Sequence, residues 1–116
     1  RERPDEAVMF QLEWLNPGAK FRPLWRLEWR PIGIHQNKAK GPSELHFLRI
    51  NGSHHHPFEL NWSNSEGRMR AGNLDVAVPL QPDPPSYEAF LELVGRTLRI
   101  TNVGEIRSPP WESRLL

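Results

Sequence analysis

Cysteine is missing altogether from this chain of 116 residues. That absence excludes a disulfide framework and every thiolate metal site. Long apolar runs are missing as well, and none approaches the ~20 residues a membrane-spanning helix needs. The opening stretch RERPDEAVMF has no apolar core of the kind a signal peptide carries. The expectation is a cytoplasmic protein with no membrane partner. A strong overall charge is also lacking, since the formal net charge is only +1. That small sum conceals an asymmetry: residues 20–49 hold seven Lys or Arg against two acids, a local +5 beside −4 for the rest. A local basic field can attract phosphates even on a nearly neutral molecule, but these cations are spread along the chain rather than clustered as in a nucleic-acid footprint.

What is present reads mostly as strand. Val8, Phe10, Leu12 and Trp14 alternate with Met9, Gln11 and Glu13, and Trp25, Leu27 and Trp29 alternate with Arg26, Glu28 and Arg30; both have the period of a half-buried strand. Asn16-Pro17-Gly18 between them is a turn signal, so the two form a hairpin. His35–Pro42 reads as a polar loop and Ser63–Asn73 as another. Leu74–Leu80 is a short strand. The clear helix lies within Asp83–Gly95, capped by Asp83 or Ser86 and stopped by Gly95. Phe90, Leu93 and Val94 give it a stripe to lay on a sheet. Thr97–Val103 reads as a last strand, and residues 104–116 as a proline-rich tail in which Trp111 is an anchor. The fold class expected is α+β: one domain over 1–116 with its core in roughly 8–103, an antiparallel sheet of about five strands and one helix on a face.

The chemistry concentrates in RINGSHHHPFELNW, Arg49–Trp62. Asn51-Gly52 is a strong two-residue hairpin signal. A hairpin there sets Ile50 opposite Ser53, Arg49 opposite His54 and Phe47 opposite His56. His54 and His56 then share a face with Arg49, while His46 and His55 point to the other side. Three readings fit. As a metal site, His-x-His supplies two ligands and needs a third, from His35 or from Glu59. As a catalytic site, His54 and His56 act as general acid and base with Arg49 stabilising an oxyanion or phosphorane. His46, His35 and Arg70 then assist in substrate binding, and neither a metal nor any other cofactor is required. As a plain structural element, the histidines form the polar end of a hairpin. Gly67–Asn73, with Arg68 and Arg70, could form an anion-binding loop, although it lacks the strand-to-helix setting of a P-loop.

The order LHFLRI, SHHHPFEL, AVPL, SYEAFLELV, LRITNV resembles small uncharacterised prokaryotic domains, some of them encoded in toxin–antitoxin-type gene pairs and including the TumE-like toxin class. The resemblance covers roughly residues 20–103 and departs from the pattern in having contiguous histidines followed by Pro57. It implies a small intracellular protein with a partner, acting on RNA. On that footing the expected function is a toxin-like, metal-independent ribonuclease or an RNA-binding protein. The competing class is a non-enzymatic interaction module whose Trp-rich sheet meets a partner protein or a second copy of the chain.

Overall fold

The computed structural model describes residues 7–15, 21–70 and 73–99. The Asn16–Gly18 turn, the end of the last expected strand, the 104–116 tail and Trp111 lie outside these residues. The first hairpin forms as the alternation predicts. Strand β1 (Val8–Leu15) pairs antiparallel with β2 (Phe21–Trp29), Val8 facing Trp29 and Leu12 facing Trp25. The register slips after Leu12, and Glu13 faces Pro23. Proline has no N–H to give the ladder, so a bulge falls beside it.

The second hairpin does not form. Asn51-Gly52 still turns the chain, with Gly52 at a φ of +114° that favours glycine, but the turn hands the chain from one sheet to another. Strand β4 (Arg49–Asn51) pairs with β3 (Ile34–Gln36), His35 facing Ile50. Strand β5 (His54–His56) instead enters the main sheet, with Glu28 opposite His54 and Arg26 opposite His56. Its other edge takes β8 (Val78–Pro79). With both edges occupied by β2 and β8, β5 has no free ladder for β4. The main sheet is thus antiparallel in the order β1-β2-β5-β8.

Other expectations shift locally. Ser43–Leu45 is a 3-10 turn rather than the start of a strand. Pro57 ends β5 and opens the single helical turn α1 (Phe58–Asn61). The expected loop at 63–73 contains a ribbon of β6 (Trp62–Ser63) and β7 (Arg68–Met69), and His35 and Gln36 belong to β3 rather than to a loop. The main helix, α2 (Tyr87–Leu98), is capped by Ser86, whose hydroxyl accepts from the Ala89 N–H. It runs through Gly95 and stops at Arg99 in the left-handed conformation. Leu98 continues the Val94 stripe onto the core, so packing overrides the glycine stop and carries Thr97 and Leu98 into the helix.

The sheet has two unlike faces. On one, Trp25, Leu27 and Trp29 meet Tyr87, Phe90, Leu91 and Val94 of α2. Trp29 stacks on Phe90 at 5.9 Å and donates its indole N–H to the Pro84 carbonyl at 2.8 Å. That pairing satisfies the polar atom of an otherwise apolar ring. The opposite face carries Arg26, Glu28, His54 and His56, and the β3–β4 ribbon covers it with His35.

Two buried asparagines fasten the extended segment that leads into β8. The Asn37 side chain accepts from the Ala77 N–H and donates to the Ala77 and Leu45 carbonyls. The Asn61 side chain accepts from the Val76 N–H and donates to the Val76 and Pro57 carbonyls. Each carboxamide stands in for the peptide group of an absent neighbouring strand, so this buried backbone remains paired without a ladder.

Candidate metal centre

The polar face gathers its groups through the β2–β5 register. Side chains two residues apart on a strand point the same way, so Arg26 and Glu28 on β2 meet His56 and His54 on β5. His35 arrives from β3, its ring stacked on His54 at 5.3 Å and edge-on to His56 at 4.9 Å. One ring nitrogen from each of His35, His54 and His56 lies within 4.8 Å of the others. His54 and His56 are only 2 % and 1 % exposed.

Hydrogen bonds fix which nitrogens are available. The His54 Nδ1–H donates to the Gly52 carbonyl at 2.8 Å, and the His56 Nδ1–H to the Leu74 carbonyl at 2.7 Å. Both Nε2 atoms therefore turn to one carboxylate oxygen, Glu28 Oε2, at 3.4 Å from His54 and 3.2 Å from His56. The His56 contact is at hydrogen-bond distance, and Nε2 donates there only when the ring carries a second proton. The His54 contact is an ion-pair approach without hydrogen-bond alignment, which leaves that buried Nε2 with no hydrogen-bond partner. His35 Nε2 lies 2.8 Å from Asn37 Oδ1 and 3.1 Å from the Asp75 carbonyl. Both partners are acceptors, so Nε2 carries the proton and Nδ1 the lone pair. An imidazole whose second nitrogen is held by a backbone carbonyl or side-chain oxygen is the usual arrangement of a metal-ligating histidine.

The electrostatics are crowded. Arg26 is also buried, donating to Gln11 Oε1 at 2.7 Å and to Asn73 Oδ1 at 3.0 Å, with Glu28 Oε2 3.7 Å away. Glu28 is held well below the ordinary carboxylate range, first by its contact with His54 and then by that with His56. Burial presses the His54 pKa down, but the Glu28 carboxylate and the Gly52 carbonyl outweigh it and the net shift is upward. For His56, burial dominates and the pKa falls, with His54 and Arg26 adding to the fall. Two neighbouring imidazoles thus share one carboxylate and are driven apart in basicity.

The structure brings together His35, His54 and His56 of the residues singled out in the sequence. It does not bring Arg49 to them, because Arg49 pairs with Gln36 on the outer ribbon and is exposed. His46 contacts the Gly41 carbonyl and the Phe47 ring, and Arg70 donates to the Leu60 carbonyl at 3.2 Å. His55 lies on the helix side, edge-on to Trp25 at 5.5 Å, with its pKa lowered by burial. Glu28 and Arg26 were legible only as the polar side of an alternating strand. The available signal was their position opposite three large apolar residues in a strand buried on both faces. No family model, curated protein or solved structure matches this chain.

Proposed function

We propose that this protein binds one divalent transition-metal ion of the zinc class through His35, His54, His56 and Glu28. The observation that carries the reading is the convergence of three imidazoles, His54 and His56 buried and His35 half-buried, with the Nε2 atoms of His54 and His56 directed at one carboxylate oxygen by backbone-held Nδ1 atoms. Three imidazole nitrogens, with the Glu28 carboxylate beside His54 and His56 as the fourth donor, are ligand types suited to four-coordinate zinc, with other borderline ions as competitors. Metal–nitrogen bonds of about 2.0–2.1 Å imply nitrogens ~3.4 Å apart. The rings need to draw in from separations of up to 4.8 Å, a movement within reach of small side-chain rotations. Four protein ligands close the shell, as in structural zinc sites, whereas hydrolytic sites keep one position open. The ion would join β2, β3 and β5 and so tie the outer ribbon to the main sheet.

Titrating metal-stripped protein with Co(II) tests this. The expected result is one equivalent bound, with the visible absorption of a tetrahedral ion, displaced by Zn(II). Glu28→Gln and His35→Gln should weaken both responses while circular dichroism stays native. A folded protein that takes up neither ion would overturn the proposal.

A second reading, metal-independent RNA cleavage with His54 and His56 as acid and base, draws on the opposite shifts of their pKa values. Paired groups pushed apart in this way are typical of acid–base sites. Burial of both rings and the remote position of Arg49 favour the metal. RNA cleavage that survives EDTA and disappears in His54→Ala would favour the ribonuclease.

A further inference from the structure

A second concave site lies away from the histidines. It is lined by Arg22, Arg68 and Arg70 with Pro23, Met69 and Leu74, and Asn61 forms part of its wall. The three cations come from two separate parts of the fold. Arg22 lies on the outer end of β2, Arg68 on β7, and Arg70 just beyond β7. Among the described residues no acidic side chain lines the hollow. Beside it, Glu66 pairs with Arg68 at 2.5 Å, both side chains being exposed.

Local contacts use these charges only in part: Arg68 pairs with Glu66 and Arg70 donates to one carbonyl. The Asn61 carboxamide is fully engaged with Pro57 and Val76, so it offers the arginines nothing. Arg70 uses Nε to reach the Leu60 carbonyl. That bond fixes the plane of its guanidinium and leaves the terminal N–H groups to face another acceptor. Arg22 makes no ion pair among the described residues. Three like charges around one depression repel one another, and a bound anion reverses the sign of that energy. Pro23, Met69 and Leu74 supply low-polarity walls that strengthen such an attraction.

We propose that Arg22, Arg68 and Arg70 form a binding site for a phosphoryl group. The guanidinium fork matches the spacing of phosphate oxygens and can bind two at once. Three forks around one hollow suit a tetrahedral anion carrying two charges better than a planar carboxylate. The phosphoryl group can belong to a small phosphomonoester or to a nucleic-acid strand. The chemistry at the pocket is the same, and the site is independent of whether the histidine cluster holds a metal.

The test is NMR of the arginine side-chain Nε–H groups in the full chain, at constant ionic strength, with inorganic phosphate as the first probe. Saturable shifts are expected at Arg22, Arg68 and Arg70 and not at Arg49, which is exposed outside the pocket. Arg22→Gln is the diagnostic variant, because among the described residues that side chain has no ion-pair or hydrogen-bond partner to lose. It should weaken phosphate binding at least ~10-fold, the effect of losing a charge-assisted hydrogen bond, while Arg49→Gln leaves binding unchanged. A short oligonucleotide with and without a 5′-phosphate separates the sources. A terminal phosphate that competes with inorganic phosphate assigns the site to monoesters. Equal binding of both strands, weakened by Arg22→Gln, assigns it to backbone phosphates. Linear, unsaturable shifts, or equal weakening by Arg22→Gln and Arg49→Gln, would overturn the proposal.

Discussion

Replacing Asn37 by alanine should be among the most damaging single changes outside the apolar core, although it removes no charge and little apolar surface. The Asn37 side chain is 1 % exposed and bonds to both the N–H and the C=O of Ala77. Its other two partners have alternatives: the Leu45 carbonyl also accepts from the Leu48 N–H, and His35 Nε2 also reaches the Asp75 carbonyl. The variant therefore strands two buried backbone groups, each costing about 1–3 kcal/mol, for a total near ~4 kcal/mol. With an unfolding entropy of about 2.1 cal/mol/K per residue, a chain of 116 residues should lose ~16 °C in Tm. Asn37→Asp should be at least as harmful, because it turns a carboxylate oxygen toward the Ala77 and Leu45 carbonyls. Urea denaturation followed by tryptophan fluorescence measures both, with exposed Asn64→Ala as a control expected within ~0.5 kcal/mol of wild type. A loss below ~1 kcal/mol for Asn37→Ala, at unchanged m-value, would refute the idea that this carboxamide substitutes for a strand.

Further outcomes follow from the same geometry. The Co(II) affinity should rise with pH across the neutral range, because the raised pKa of His54 means a proton must leave before the metal binds; a flat pH profile would exclude His54 as a ligand. In the metal-free protein, His55 and His56 have pKa values below the usual 6.5. Their contribution to stability is complete above that value and lost as the pH falls below it, whereas His54 contributes below 6.5 and loses its contribution as the pH rises through its raised pKa. Metal-free stability should therefore peak near neutrality in denaturation at stepped pH, and a monotonic rise from acid to alkaline pH would contradict this assignment. Gly41→Ala should cost about 1–2 kcal/mol, since Gly41 has a φ of +70° and an added Cβ would lie 3.3 Å from Val76 Cγ2; thermal melts read it directly. Ser86→Ala should cost about 1 kcal/mol through the lost helix cap, and no change in Tm would mean that Asp83 or the Pro84–Pro85 entry suffices.

Features that are local or periodic are legible in the chain alone. Alternation in Val8–Trp14 and Trp25–Trp29 was enough for the first hairpin, because apolar side chains two apart share a face, although Leu12 and Trp14 at the far end of that face are exposed. Phe90, Leu93 and Val94 were enough for the helix, and the mixture of the two kinds of element for the α+β class. His54 and His56 were bound to share a face in any strand, and His35 was already a third-ligand candidate. Tertiary structure alone decided what lies across from them. A strand's period fixes which side each residue takes but says nothing of which strand is its neighbour, so the local strength of Asn51-Gly52 suggested Arg49 as partner to His54. The pairing that formed is with β2, where the His54 and His56 imidazoles meet the Glu28 carboxylate, because β5 buries both edges only in the middle of the sheet. The same long-range closure placed Asn37 and Asn61 on bare backbone and brought Arg22 beside Arg68 and Arg70. Contacts between residues so far apart in the chain leave no periodic trace, and they exist only once the whole sheet has closed.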